Sequence, residues 1–367
     1  MPTVLDWSPT VDPSELVRVT REAIAAGSPV VLPGDCGYVA LVNPAATTAA
    51  TQLGALAGAR TALPAVLAWG PDDPAGLGLT LPVGASRLLS RGWPAPLVIG
   101  VPGQPDWPTD WSAAVRDRIW AGRTIRFRCP EHPLFDAIAP ALELPALVVD
   151  TFLSTAEEAL DLLDDSTAVA VSAGEMPTHE KPTIVTVTGS GRDIGWKVAE
   201  PGLLPTDEVE KLASRIILFV CTGNTCRSPM AEGLAKKLLA DRLRCGVNDL
   251  PTRGFWVVSA GVSASNGSPA AAESIAVAAE LGSDLGEHES RPVNPQLLAA
   301  ADDVVAMTKS HAQTLAARYP GLGPVPTLLC GHEDLDDPIG AGLGVYRECA
   351  QTILLHLERF LPVWVGS

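Results

Sequence analysis

Over the last two-fifths of the chain, apolar residues gather in short continuous runs separated by segments with helical spacing. The runs at 215–220, 255–259, 303–307 and 325–329 read as buried strands, and 229–242, 269–281, 295–301, 310–318 and 345–360 read as helices. Strands that alternate with helices predict a doubly wound, four-stranded parallel sheet, whose ligands sit at carboxyl strand ends near a topological switch point. The first half is patterned less regularly. A helix at 13–26 precedes the apolar run 29–32, and further strand-like runs fall at 96–101, 124–129, 146–149, 168–171 and 183–187. Helical stretches at 112–120 and 155–163 lie between them, which predicts an α/β domain around a mixed sheet. Between Gly189 and Asp207 the chain turns to Gly, Pro and short polar stretches, so the expected domains are 1–205 and 206–367. Gly189-Ser190-Gly191-Arg192 reads as a hairpin turn, with a phosphate nest as the other option.

Charge narrows the function classes. The 367 residues carry 26 basic and 42 acidic side chains, a net −16, and neither predicted domain is basic. A surface dominated by phosphate contacts to nucleic acid or anionic lipid is therefore not expected. No apolar run reaches membrane-spanning length, and the start lacks the charged and apolar regions of a secretory signal. Seven scattered cysteines fit a reducing cytosol better than a disulfide framework. A cytoplasmic protein is the expectation. Seven of the nine tryptophans fall in the first half, where core and rim packing is their commoner use and a stacking platform the rarer one.

The chemistry concentrates in Cys221-Thr222-Gly223-Asn224-Thr225-Cys226-Arg227-Ser228-Pro229. A cysteine and an arginine five residues apart follow the apolar run, and Ser-Pro then opens a helix, with Ser228 as cap and Pro229 in the first turn. A strand–loop–helix of this kind aims backbone N–H groups and the positive helix end at one point. That field suits a phosphoryl dianion and favours the thiolate that would attack it. Arg227 can grip two phosphoryl oxygens through its planar fork. Attack on phosphorus expels a basic leaving group, so a carboxylic acid is needed. Asp337, in Asp334-Leu335-Asp336-Asp337-Pro338-Ile339-Gly340, is the candidate, and Asp336 beside it reads as solvated.

This set resembles the low-molecular-weight protein tyrosine phosphatase family from about Arg215 to the C-terminus, including Ser259-Ala260-Gly261, His288-Glu289-Ser290-Arg291 and Met307-Thr308-Lys309-Ser310-His311. The resemblance implies Cys221 as nucleophile, Arg227 as phosphate clamp and Asp337 as general acid and later base. It implies a phosphate-binding loop of Thr222, Gly223, Asn224, Thr225, Cys226 and Ser228, with Ser228 steadying the thiolate and Asn224 shaping the loop. Thr225 stands where many tyrosine-directed members carry an aliphatic residue. The string resembles the bacterial protein-arginine phosphatases of the family, in which that hydroxyl helps place the attacking water. Ile339 follows Asp337-Pro338, where members generally carry an aromatic ring, which weakens a phosphotyrosine stacking argument. The expected substrates are phosphorylated protein or peptide side chains, arginine ahead of tyrosine, and no cofactor or metal is called for. Cys226 is either an inert loop thiol or, at this spacing, able to form a protective disulfide with Cys221. His288, His311 and His332 read as structural or surface residues. Cys330-Gly331-His332 lacks the second pair a metal site needs.

From about Asp12 to Gly202 the order of segments is similar to the threonylcarbamoyl-adenylate synthase (YrdC-like) family, which uses ATP, threonine and bicarbonate to make a tRNA-modification precursor. The matching pieces are 21–33, 93–98, 124–133 and 145–149. The departures fall on ligand positions. The family's Lys-x-Arg falls on Ala57 and Ala59, leaving Arg60 as an imperfect substitute, and its Ser-x-Asn on Asp150-Thr151-Phe152. Pro182-Thr183-Ile184-Val185 replaces its Ser-Thr-Val-Val, and Glu200 replaces a later arginine, while Tyr38, Arg128 and Thr183 survive. Each charge-assisted bond lost from a triphosphate site is worth about 1.5–3 kcal/mol. ATP should bind poorly, so a degenerate domain is expected, with a working synthase as the alternative and a non-catalytic interaction module as a third reading.

Overall fold

The computed structural model describes residues 2–10, 12–57, 62–70, 72–138, 141–142, 145–163, 167–178, 180–188 and 195–365. The sequence-derived hairpin turn or nest at Gly189–Arg192, and Ala59 and Arg60, lie outside them. Two compact units divide the chain, Met1–Ala213 and Ser214–Ser367.

Among the described residues the first unit holds ten strands: β1 (Thr3–Asp6), β2 (Val30–Gly34), β3 (Gly37–Val42), β4 (Ala65–Leu67), β5 (Leu97–Pro102), β6 (Thr124–Arg128), β7 (Leu147–Asp150), β8 (Val169–Ser172), β9 (Thr183–Thr188) and β10 (Gly195–Glu200). They form one mixed sheet in the order β1-β8-β2-β3-β7-β4-β6-β5-β9-β10. The helices are α1 (Ser14–Ala25), α2 (Ala49–Ala57), α3 (Asp72–Gly76), α4 (Val83–Gly92), α5 (Ala113–Ile119), α6 (Pro133–Ile138), α7 (Ala156–Asp161) and α8 (Thr206–Ala213). Strand alternation feeds two cores: Val31, Tyr38, Ala40 and Val42 enter one, and Val30, Leu32, Val39 and Leu41 the other. Trp107 sits between Trp111 and Trp120, with ring centroids 5.9 and 6.2 Å away, so these tryptophans pack on one another.

The second unit carries β11 (Arg215–Cys221), α9 (Arg227–Leu243), β12 (Phe255–Gly261), α10 (Ala272–Glu280), α11 (Pro295–Ala300), β13 (Asp303–Ala306), α12 (Lys309–Arg318), β14 (Thr327–Leu328) and α13 (Leu343–Val365). Its sheet is wholly parallel in the order β12-β11-β13-β14, so the chain steps to one side of β11 and then to the other. The carboxyl end of β11 is thus the switch point, and Cys221 ends it. Ile217, Phe219 and Cys221 face the core under α9, α10 and α13, whereas Ile216, Leu218 and Val220 face the core under α11 and α12.

Several expected bounds shift for physical reasons. The run 325–329 keeps only two strand residues, because Val325 stands 88% exposed at the sheet edge. The helix expected from 269 starts at Ala272, since Pro269 is bridged to Glu289 in an antiparallel pair. The helix after the loop begins at Arg227, not Pro229, with Cys226 in the N-cap position. Ser228 is no cap; its hydroxyl is engaged elsewhere.

Candidate active site

The loop between β11 and α9 is shaped around Asn224. This residue is fully buried with φ of 55°, a left-handed conformation that asparagine tolerates better than most side chains. All of its polar groups are engaged. Its side-chain amide donates to Ser228 Oγ at 3.0 Å and Ser259 Oγ at 2.8 Å, and its Oδ1 accepts the Arg291 N–H at 2.9 Å. Its carbonyl accepts from His288 Nε2 at 2.8 Å, and its own N–H donates to Cys221 Sγ at 3.2 Å. Ser259 in turn donates to Glu232 Oε2 at 2.6 Å. The loop therefore hangs on β12, α9 and the segment after α10.

Cys221 Sγ lies 2.9 Å from Ser228 Oγ. Because that hydroxyl oxygen already accepts from Asn224, its proton is available to the sulfur, and two donors converge on Cys221. The Ser228 hydroxyl is thus drawn into the loop rather than onto helix N–H groups. The bare first turn of α9 points its backbone donors into the same space. β12 ends at Gly261, where a Cβ would come within 2.4 Å of the Thr222 carbonyl and 3.0 Å of Asn224 N; only glycine lets the strand run this close.

Arg227, at the start of α9, donates to the Leu335 carbonyl at 3.1 Å and pairs with Asp337. Asp337 sits in a loop strapped to the end of β13: Leu335 N–H donates to Met307 O at 2.9 Å, and Asp334 accepts the Lys309 N–H at 2.7 Å. Nucleophile loop, guanidinium and carboxylate from 116 residues apart along the sequence are brought together here. Thr222 is exposed and Gly223 and Thr225 half-buried, while Asp336 and His332 are exposed. Cys226 is buried beneath, its Sγ 3.4 Å from the Tyr346 hydroxyl.

Sequence reasoning passed over the supports. His311 links Thr222 Oγ1 and Thr308 Oγ1, each at 2.9 Å, and burial, then the Arg227 charge, depress its pKa to about 4, so the ring is neutral near pH 7. His288, from the segment after α10, and Tyr346, from α13, likewise reach the loop, and Glu232 on α9 supports it through Ser259; His288 and His311 read from the sequence as structural or surface residues, without a tie to this loop. Among the described residues no group of three or more His, Cys, Asp or Glu side chains could hold a metal ion. No helix among them is long and apolar enough to cross a membrane.

In the first unit Arg128, Tyr38 and Thr183 are buried, with their polar groups turned inward. Arg128 is fully buried and donates to Asp35, Asp150 and the carbonyls of Ala95 and Cys129. The Tyr38 hydroxyl donates to Gly174 O and accepts from Ala173 N–H, at 2.7 and 2.9 Å, and Thr183 Oγ1 donates to Leu204 O at 2.7 Å.

Comparison with known proteins converges on the second unit. The profile described as low molecular weight phosphotyrosine protein phosphatase matches residues 216–362. A protein-arginine-phosphatase of Bacillus subtilis is 37% identical over 137 residues, 36% of this chain and 85% of the relative. A probable low molecular weight protein-tyrosine-phosphatase EpsP of Ralstonia nicotianae is 30% identical over 150 residues, 40% of this chain and 94% of the relative. A solved YwlE arginine phosphatase from Geobacillus stearothermophilus is 32% identical over 40% of this chain and 90% of its own, with a TM-score of 0.35.

Proposed function

Through residues 216–362 the chain belongs to the low molecular weight phosphotyrosine protein phosphatase family, a cysteine-dependent protein phosphatase, and from that premise we propose that its substrates are phosphoarginine side chains ahead of phosphotyrosine. The single observation carrying the catalytic assignment is the convergence of the Ser228 hydroxyl and the Asn224 N–H on Cys221 Sγ, at the loop from which Arg227 starts.

In the proposed reaction the Cys221 thiolate attacks phosphorus and an S–P bond forms as the P–N or P–O bond to the side chain breaks. Arg227 and the loop amides of Thr222 to Ser228 hold the equatorial oxygens, whose charge they are placed to stabilise. Asp337 supplies the proton that the departing nitrogen or oxygen takes up. Water then attacks phosphorus, passing its proton to Asp337, and the S–P bond breaks to return thiolate and inorganic phosphate. Thr225, half-buried in the loop, offers this water a hydroxyl that an aliphatic residue could not. Kinetics on matched phosphoarginine and phosphotyrosine peptides test the preference. Thr225→Ile should lower kcat/KM for phosphoarginine about tenfold while sparing phosphotyrosine, a loss typical of one misplaced catalytic group; equal effects on both would remove Thr225 from specificity.

For the first unit we propose a YrdC-like domain over residues 1–205 that no longer makes threonylcarbamoyl-adenylate, followed by the phosphatase domain over 206–367. The inward engagement of Tyr38, Arg128 and Thr183 supports this reading: Asp35 and Asp150 already occupy the guanidinium that an anionic ligand would need. A non-catalytic module that receives phosphorylated proteins in the cytoplasm fits these features better than a second enzyme. ATP and tRNA are not expected partners.

A further inference from the structure

We propose that Tyr346 and Cys349 are positioning residues that hold the proton-donating loop in register with the phosphate loop. This rests on the reading of Asp337 as the acid. Both lie near the start of α13, three residues apart and so on one face of the helix. Both are buried, at 2% and 7% exposure. They reach in two directions. The Tyr346 hydroxyl lies 3.4 Å from Cys226 Sγ, and Cys226 is the uncapped residue from which α9 and Arg227 start. The Cys349 thiol points to the Asp336 carbonyl at 3.8 Å, one residue before Asp337. One helix face therefore touches the nucleophile's loop through the first residue and the acid's loop through the second.

Neither side chain is suited to the chemistry itself. Burial, followed by the bond to Cys226, raises the Tyr346 pKa, so the phenol stays protonated and able to donate to sulfur. Burial pushes Cys349 up to about 12, so it stays a thiol and a neutral donor to the carbonyl. Sulfur bonds of this length are individually weak, but they act at a position where small displacements count. The Arg227–Asp337 contact spans the two loops, so a shift of α13 against Cys226 moves the carboxyl relative to the atom it must protonate.

A misplaced acid has a signature that loosened packing lacks. Its help grows with the basicity of the leaving group, so its loss is felt most where the departing oxygen is poor. The experiment measures kcat/KM of the full-length enzyme on phenyl phosphate and p-nitrophenyl phosphate for Tyr346→Phe, Cys349→Ala and the reference Asp337→Asn. Asp337→Asn should cut the phenyl phosphate rate at least about tenfold more than the p-nitrophenyl phosphate rate. Tyr346→Phe and Cys349→Ala should tilt the same way by about three- to tenfold, with competitive inhibition by inorganic phosphate unchanged within about twofold. In the Asp337→Asn background, Tyr346→Phe should add no further tilt, because the two act through one group. Equal losses on both substrates, or none, in either single variant would overturn the proposal while leaving the acid assignment intact. A flat response from Asp337→Asn would overturn both. Phenylalanine keeps the ring, and the thermal midpoint of each variant identifies any that fails to fold; Cys349→Val, which keeps the bulk and removes the donor, then stands in for alanine with the same expectation.

Discussion

The Asp337 carboxylate rests on the Arg227 guanidinium, the group proposed to hold a phosphoryl dianion. The guanidinium is nearly buried while the carboxylate is 40% exposed, so the acid is the partner free to move away. Substrate entry would replace one anion on Arg227 by another and release Asp337 toward the leaving group. Asp337→Asn should therefore lower turnover by about a hundred- to ten-thousandfold while vanadate inhibits as well as before or better. Vanadate affinity that falls in step with turnover would place Asp337 in binding instead.

Asn224 separates backbone conformation from bonding. Asn224→Gly keeps access to the left-handed conformation but removes three side-chain hydrogen bonds, and Asn224→Ala loses both. Each variant should cost roughly 2–4 kcal/mol of stability, since two buried hydroxyl oxygens lose a donor and the Arg291 N–H loses its acceptor, and alanine should be the worse by about 1 kcal/mol. Denaturant titration measures both. A glycine variant as stable as the parent would show that the loop holds its shape without these bonds.

His311 gives the second unit a pH dependence of known sign. Its pKa near 4 in the fold lies below the 6.5 of an exposed histidine, so the unfolded chain binds more protons between those values. The contribution is fully present above about pH 6.5 and is lost as pH falls toward 4, amounting to about 1–3 kcal/mol. In His311→Asn, unfolding free energy should decline less steeply across that window. Parallel slopes for variant and parent would contradict the assignment of a neutral, buried ring.

In the first unit, isothermal calorimetry of the full chain with ATP should give no saturable heat. Arg128→Met, which leaves Asp35 and Asp150 facing each other without their cation, should cost about 3–5 kcal/mol of that unit's stability. Saturable ATP binding would reinstate the synthase reading, and an indifferent Arg128→Met would deny the cation its structural part.

What could be read along the chain was whatever is local. The strand before Cys221 announces itself because six consecutive buried residues serve two cores at once. Cys221, Arg227 and the Asp-Pro loop were legible as short motifs. Glu232, Ser259, His288, His311 and Tyr346 were not assigned to the loop, because each acts through a bond spanning 27 to 120 residues. Ser228 misled for a related reason. Its place before proline suits a helix cap, but a bond to sulfur took the hydroxyl. In the first unit, β4 is only three residues long, and β1 finds its parallel partner β8 more than 160 residues later. The β2–β3 hairpin turns at Asp35-Cys36, without the Asn-Gly or Asp-Gly pair that would flag it.

The bare α-carbon of Gly261 against the Thr222 carbonyl gives the proposed phosphate cradle a rigid wall. A strand this close leaves the proposed cradle little room to recoil, so its shape should be set by the fold rather than by its guest. Small tetrahedral oxyanions should then be welcomed on shape and charge alone. Discrimination among phosphorylated side chains is left to the rim above.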